Sequence, residues 1–210
     1  GVPVVVNTCH GLWARREDRG VKRVLVYGAE ALAAQFSDAE LFQNAEDRET
    51  LRWALGGRLA TVVGNGVDLT RFAPDPAARA RVRAELGIAD GETLVLAVGR
   101  RVAEKGLAEF AAMADRLAGR ARFVWVGPYD ETDPLAGSDL GDAIEFAGER
   151  ADMPAVYAAA DLFVLPTYRE GFSRSGMEAA ATGLPMVLTD IRGCREIGTH
   201  GEHLLLVPPR

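Results

Sequence analysis

The stretch DMPAVYAAADLFVLPTYREGFSRSGMEAAATGLPMVLTD, residues 152–190, decides the fold. Residues 153–160 read as a helix. They lead into DLFVL at 161–165, a short run that is apolar on both faces, as a fully buried strand is. PTYREGF then interrupts the pattern with Pro166 and Gly171. Residues 174–182 read as a second helix and 186–189 (MVLT) as a second strand. Buried strands separated by helices predict parallel pairing with both faces of the sheet covered.

The same rhythm extends outward on either side. After it comes a strand at 203–207; before it come a helix at 76–86, a strand at 93–98 (TLVLAV), a helix at 104–118 and a strand at 122–127 (RFVWVG). An irregular segment from Pro128 to about Gly141 precedes a strand at 144–147. Nearer the start, Val4–Val6 suit a buried parallel strand, since Pro3 is tolerated only at a strand's first residue. A loop at Thr8–Gly11 follows, then a helix through Val21, Val24, Leu25, Ala29 and Leu32. Its beginning is basic: Arg15, Arg16, Arg19, Lys22 and Arg23 against Glu17 and Asp18. Ala39–Phe42 and Leu59–Val63 read as further strands. Between them Asn44 is placed to cap a helix with Glu46 and Asp47 in its first turn. GNGVDLTRFAPDP then breaks the pattern with Gly, Asn and Pro, which puts a domain boundary near residue 72. Two α/β domains are expected, 1–72 and 73–210.

Composition agrees with a globular chain. Its 210 residues are 48% hydrophobic and 26% charged, enough to bury a core. A net charge of -6 argues against a nucleic-acid partner, which calls for a basic surplus or stripe. Cys9 and Cys194 form no CxxC pair and fit a reducing compartment. No apolar run approaches the ~20 residues that span a bilayer, and GVPVVVNTCHG is not a signal peptide. The chain opens without Met and stops directly after an apolar run. A piece of a longer protein is therefore expected, its first domain partly present and its second lacking closing helices.

Ligands of parallel α/β sheets bind outside the carboxyl ends of the strands. Four segments lie there: Gly99–Gly106, Gly127–Tyr129, Pro166–Phe172 and Thr189–Glu196. In GRRVAEKG a glycine exit is followed by Arg100, Arg101 and Lys105, cations suited to a diphosphate at a helix N-terminus; a solvated basic loop is the plainer alternative. Neither a Walker A loop nor GxGxxG is present, which disfavours ATP hydrolysis and hydride transfer. Glu170 falls in a strand-end loop and Glu178 on the next helix. A carboxylate at such a place accepts ribose or sugar hydroxyls, with amides near Gly171–Ser173 alongside; as surface and helix charges the two would have no such role. His10, after a strand and before Gly11, either faces a ligand or donates to a neighbouring carbonyl. No HExxH, CxxC or DxD suggests a metal, and no GxSxG elbow makes Ser173 or Ser175 a nucleophile.

With TCHG, NGVDLTRFAP, GRRVAEKG and the 152–190 stretch in order, the chain resembles the retaining glycosyltransferases of GT-B fold, family 4. The likeness runs along essentially all of the chain. The glutamate–seven-residues–glutamate motif at Glu170 and Glu178 is its most specific part. The resemblance implies two Rossmann-like domains, the first on the acceptor side and the second holding a nucleotide-sugar. It implies Arg100 and Lys105 on the donor diphosphate, offsetting charge on the leaving group. Glu178 would hold the ribose. Glu170 would contact donor-sugar hydroxyls beside the amides of Gly171, Phe172 and Ser173. His10 would face the donor sugar from the opposite domain, and Gly148, Arg150 and Met153 would border the base. Arg101, Arg174 and Ser175 stand where the family is usually apolar, and no role is carried over to them.

The reaction so implied is a front-face displacement with retention of configuration, in which the departing phosphate takes the acceptor proton. It needs no cofactor and no metal. A glycosidase-like use of Glu170 and Glu178 is disfavoured, because both are better explained as hydroxyl ligands. The wording TYREGF, TDIRGCREI and GEHLLLVPPR is similar to the bacterial subset that builds capsular and exopolysaccharides. That implies a saccharide or polyprenyl-diphosphate-linked saccharide acceptor, at the inner face of the cytoplasmic membrane. A UDP-sugar is the expected donor, with GDP-mannose next. The basic helix start offers a contact with anionic lipid, against the plainer reading of a solvated face. Two rivals remain: a UDP-sugar epimerase of related fold, distinguished by its free sugar product, and a non-enzymatic nucleotide-sugar-binding module, which would bind without turnover. The 210 residues alone are expected to bind donor weakly and transfer little or nothing, since an incomplete cleft neither excludes water nor orients both substrates.

Overall fold

The structure is a computed structural model, described for residues 2–14, 18–135 and 137–209. Its contacts divide the chain into two units, Gly1–Asn65 with Glu170–Phe172, and Gly66–Arg169 with Ser173–Arg210. The boundary falls at Asn65/Gly66 rather than near 72. Val67 and Phe72 pack into the hydrophobic core of the larger unit, which draws the NGVDLTRF segment onto that unit's side.

The smaller unit holds a parallel sheet of β1 (Val6–Cys9), β2 (Ala39–Phe42) and β3 (Leu59–Val62), in that order. Helices α1 (Gly20–Ala34) and α2 (Ala45–Leu51) accompany it. The first strand lies later than the expected Val4–Val6. The register pairs Val6 with Ala39 and Cys9 with Phe42, so the ladder runs through the polar Asn7 and Thr8. Val4 and Val5 stay exposed, although the Val5 backbone still bonds Asp38. Cys9, Leu12, Phe42, Leu51 and Leu55 form the core. Asn44 caps α2 as expected, accepting from Asp47 N at 2.7 Å.

The larger unit is built on a six-stranded, all-parallel sheet. Its strands are β4 (Leu94–Val98), β5 (Arg122–Val126), β6 (Ile144–Gly148), β7 (Leu162–Leu165), β8 (Met186–Thr189) and β9 (Leu205–Val207). The order β6-β5-β4-β7-β8-β9 runs outward to β6, then resumes on the other side of β4. The carboxyl ends of β4 and β7 therefore flank the switch point where such sheets bind ligands. Alternation along each strand separates two cores. Leu94, Leu96, Val124, Val126, Phe163 and Leu165 face one side, with Val82 of α3 (Pro76–Glu85) and Val156 and Tyr157 of α5 (Met153–Ala159). Val95, Ala97, Phe123, Trp125 and Val164 face the other, against Leu107, Phe110 and Ala114 of α4 (Leu107–Arg116). There Phe110 meets Trp125 edge-on at 5.4 Å between centroids. The last helix, α6 (Arg174–Ala181), begins on Ser173, whose side chain accepts from Gly176 N. The expected helix at 104–118 is divided: Ala103–Lys105 form a 3-10 turn, and α4 starts only after Gly106 turns left-handed at φ 77°.

At the opposite end of the sheet an ionic knot fastens α3 and α5 to the first residue before β7. Asp161 accepts from Arg79 at 2.5 Å, Arg83 at 3.0 Å and the backbone N of Leu94 at 2.8 Å. Arg79 also bonds the carbonyls of Ala159 and Ala160. Burial pushes the Asp161 carboxyl upward, but the hydrogen bonds and arginine charges outweigh it and hold it below the usual carboxylate range. Asp161→Ala leaves the buried Arg83 without its carboxylate, and should lower unfolding stability by about 2–4 kcal/mol at neutral pH. A carboxyl depressed on folding stabilises above its unfolded pKa and loses that contribution as pH falls through the folded value. Urea titrations should accordingly show the gap between wild type and Asp161→Ala narrowing below about pH 4. A constant gap across that range would remove Asp161 from the pH dependence.

Candidate functional site

In the larger unit, the exits of β4 and β5 are pressed together by glycines. Gly127 has φ 146°, and a Cβ there would lie 2.1 Å from the Gly99 carbonyl oxygen. The buried Trp125 donates its indole N–H to that oxygen at 2.8 Å, so the start of GRRVAEKG is tied to the core. Arg100 leaves this point exposed and pairs with Asp130 at 3.0 Å. Asp130 is held below the usual carboxylate range, first by the Thr132 hydroxyl and amide and then by Arg100. The Lys105 stem folds back over the loop, its Cγ 3.6 Å from where a Cβ on Gly99 would stand. Arg101 lays its guanidinium over Phe146 at 3.7 Å and Tyr129 at 5.0 Å.

The loop after β7 is sewn to this segment by Glu104. Its carbonyl accepts from Tyr168 N at 2.9 Å and Thr167 Oγ1 at 3.3 Å, while its carboxylate pairs with Arg169 at 2.9 Å. Tyr168 OH donates to Glu109 Oε1 at 2.7 Å. A Cβ on Gly106 would lie 2.1 Å from the Pro166 carbonyl oxygen, so the two strand-end loops touch backbone to backbone. Ser173 is buried and fixes the start of α6. One turn on, Glu178 accepts the Tyr157 hydroxyl on Oε2 at 2.9 Å, and Arg174 Nε stands 3.7 Å from Oε1. At the last residue of β6, Gly148 turns left-handed at φ 66°, its carbonyl accepting from Gly127 N. Arg150 gives its guanidinium to Asp152 at 2.9 Å and Glu85 at 2.8 Å, and these two acids raise its pKa further. Met153 opens α5, packed on the core.

In the smaller unit, which includes Glu170–Phe172, Gly171 lies against the TCHG loop. A Cβ on Gly171 would fall 2.0 Å from the His10 carbonyl oxygen, and one on Gly11 would fall 2.5 Å from Gly171 Cα. Asn44 Nδ2 donates to the Gly171 carbonyl at 2.9 Å and to Asp47 at 2.8 Å; Asp47 also accepts from Leu12 N at 3.1 Å. The His10 side chain is exposed.

Arg100, Lys105, Ser173, Glu178, Gly148, Arg150 and Met153 thus belong to one unit, Gly148 closing β6 and the others coming after β4, β6 and β7 in the chain. His10 and Glu170–Phe172 belong to the other. Sequence reasoning passed over Glu104, Asp130 and Tyr157. Glu104 reads as one more charge in a charged loop, and Tyr157 as a core aromatic among alanines; pattern alone carries no sign of either bond. Among the described residues, no group of three or more His, Cys, Asp or Glu could hold a metal ion, and no helix is long and apolar enough to cross a membrane. Of the basic helix start, Arg15, Arg16 and Glu17 lie outside the described residues. Arg19 precedes α1, and Lys22 lies over the Trp13 ring at 4.9 Å while pairing with Asp18.

Residues 92–210 match the family described as Glycosyl transferases group 1. The chain is 30% identical over 207 residues to the N,N'-diacetylbacillosaminyl-diphospho-undecaprenol alpha-1,3-N-acetylgalactosaminyltransferase of Campylobacter jejuni, covering 93% of this chain and 54% of that protein. It is 30% identical over 205 residues to the UDP-Gal:alpha-D-GlcNAc-diphosphoundecaprenol alpha-1,3-galactosyltransferase of Escherichia coli, covering 92% and 53%. Among solved structures it superimposes on Anabaena Alr3699/HepE in complex with UDP, with TM-score 0.79 and 25% identity, over 97% of this chain and 58% of that one. The chain spans about half the length of the curated relatives it matches.

Proposed function

We propose that this chain, which belongs to the group 1 glycosyl transferase family, supplies the nucleotide-sugar site of a retaining glycosyltransferase. The protein containing it moves a sugar to a saccharide or lipid-linked saccharide. The observation that carries the reading is the junction, within the larger unit, of the cationic GRRVAEKG loop with the loop after β7 beside the sheet's switch point, with Glu178 on the helix that follows that second loop. In this reading Arg100 exchanges Asp130 for the donor diphosphate, and Lys105 joins it as a point charge. Both then stabilise the oxygen that gains charge as the bond from anomeric carbon to phosphate breaks. The acceptor oxygen bonds the same face of that carbon and passes its proton to the departing phosphate. Glu178 accepts from the ribose. Glu170, with the amides of Gly171, Phe172 and Ser173, holds the donor sugar, and His10 contacts that sugar. Gly148, Arg150 and Met153 border the base; with its guanidinium fixed by Asp152 and Glu85, Arg150 contributes a rigid wall rather than a mobile charge.

A UDP-sugar is preferred over GDP-mannose, supported by the UDP bound in the HepE structure and the UDP-Gal named for the Escherichia coli relative. Undecaprenyl diphosphate in both relatives' names supports a polyprenyl-linked acceptor and work at the inner face of the cytoplasmic membrane. Calorimetric titration with UDP, GDP, ADP and their glucose or mannose conjugates tests the reading. UDP should bind selectively, and Glu178→Ala should weaken it by at least about tenfold, the scale of hydrogen bonds to an ionised group. Failure of every nucleotide to bind would withdraw the donor site.

The surface of α1 supports a contact with anionic lipid. Val21, Val24, Leu25 and Leu32 are exposed along it, next to Lys22 and the exposed Arg23. The protein should therefore sediment with phosphatidylglycerol-containing vesicles and be released by about 0.5 M salt, which shortens the Debye length to a few Å. Equal sedimentation with phosphatidylcholine vesicles would make the contact purely apolar and remove the role of the basic residues.

A further inference from the structure

Glu178 is the residue assigned to the ribose, yet it reaches its place on α6 with a flexible side chain that many rotamers could misdirect. The structure shows what restrains it. Tyr157, on α5, is fully buried, its ring edge-on to Phe72 at 5.8 Å between centroids and tilted against Phe163 at 5.9 Å. Packed on two sides, the ring aims its hydroxyl at one point, and that point is Glu178 Oε2 at 2.9 Å. The Glu178 side chain is 16% exposed, so the bond is sheltered from water on most sides. Its second oxygen stands 3.7 Å from Nε of Arg174, whose side chain is 76% exposed.

We propose that Tyr157 is a positioning residue for the nucleoside: it pins one oxygen of Glu178 so that the other is presented, already oriented, to the vicinal hydroxyls of a ribose. This rests on the assignment of Glu178 to the ribose. The chemistry is consistent on both sides of the bond. Burial, followed by the Glu178 charge and the hydrogen bond to it, pushes the Tyr157 hydroxyl well above the usual phenol range, so it remains a donor at neutral pH. A carboxylate accepts through several lone pairs, so one donated bond does not exhaust it. Arg174 is largely exposed, and its charge at 3.7 Å does not fix a rotamer as a short bond from a packed ring does.

The test is a double-mutant cycle read with UDP and 2′-deoxy-UDP. Tyr157→Phe keeps the packed ring and deletes only the oxygen. In the wild type UDP should bind more tightly than its deoxy analogue. Tyr157→Phe should weaken UDP by about threefold to tenfold, the net range for one ordinary hydrogen bond and less than loss of Glu178 itself, and narrow the ribo-to-deoxy ratio. In a Glu178→Ala background the same change should have no further effect, because a residue acting through Glu178 has nothing left to position. The ribo-to-deoxy ratio is internal to each sample and does not depend on how much of a variant folds; thermal midpoints check that both variants do. If Tyr157→Phe lowers UDP affinity equally with and without Glu178, the positioning role is overturned while the ribose assignment stands. If Glu178→Ala leaves the ribo-to-deoxy ratio at its wild-type value, the ribose assignment itself falls and the positioning role with it.

Discussion

Gly106→Ala should destabilise the protein by about 3–5 kcal/mol, a far larger loss than a single added methyl normally causes. Two effects act together. The residue sits at φ 77°, a region that costs an L side chain roughly 1–2 kcal/mol. The added Cβ would also lie 2.1 Å from the Pro166 carbonyl oxygen and 2.6 Å from its carbon. Neither atom is the end of a side chain that can rotate away, so either the α4 start or the β7 exit must move as backbone. Leu107, just inside α4, is buried against the sheet, and the loop after Pro166 is held by three bonds to Glu104, so both sides resist. Gly119 supplies the control: it has φ 75°, but a Cβ there meets nothing within 4 Å. Gly119→Ala should lose only the conformational share, about 1 kcal/mol, and the difference between the two variants isolates the collision. Thermal unfolding should show Gly106→Ala lower by roughly 10 °C and Gly119→Ala by a few degrees. Equal shifts would mean that the close approach of the two loops has no energetic weight.

The same position shows what a sequence can and cannot disclose. GRRVAEKG reads as a glycine exit with cations, and Arg100 and Lys105 stand in the segment where that reading puts them. The strands at 186–189 and 39–42 begin and end where they are expected; in the second this holds although Glu40 is polar and buried, because Asn7 and Ser37 donate to its carboxylate. The first strand was harder. Val4 and Val5 advertise a strand, but pairing is decided by the partner, and the register with β2 carries it onto Asn7 and Thr8. The helix expected at 104–118 is broken at Gly106 by a contact with Pro166, sixty residues away in sequence, which no local pattern reports. Arg101 illustrates the same limit. Beside Arg100 it reads as a second phosphate cation, yet it stacks on Phe146 and Tyr129, residues from another strand and its neighbouring loop. Glu178 was legible as a carboxylate at a useful place, whereas its anchor Tyr157 was legible only as core. Identity of residue types near a strand end survives in sequence; the partners that orient them come from tertiary packing.

Those orienting partners set the expected result for the cationic loop. The Arg100→Ala/Lys105→Ala double variant should bind UDP about a thousandfold more weakly than the wild type, since each cation contributes a charge-assisted bond of about 1.5–3 kcal/mol to the diphosphate, part of it already spent on Asp130. Uridine, which lacks the diphosphate, should bind both proteins alike. That contrast separates loss of phosphate contacts from damage to the fold. Arg100 is 58% exposed and Gly99 is held by Trp125, so removing the two side chains leaves the loop's backbone path intact. Salt should report the same division: raising ionic strength screens exposed charges, so wild-type affinity for UDP falls with added salt while the double variant's stays flat. Asp130 offers a test in the opposite direction. As the present partner of Arg100, it competes with the diphosphate for one guanidinium and adds a negative charge beside it. Asp130→Asn should therefore tighten UDP binding several-fold in the wild-type background and by a smaller factor in the Arg100→Ala variant, where only the repulsion remains to be relieved. Should the double variant lose UDP and uridine affinity in the same proportion, the loop acts on the nucleoside or on folding, and the diphosphate assignment of Arg100 and Lys105 is wrong.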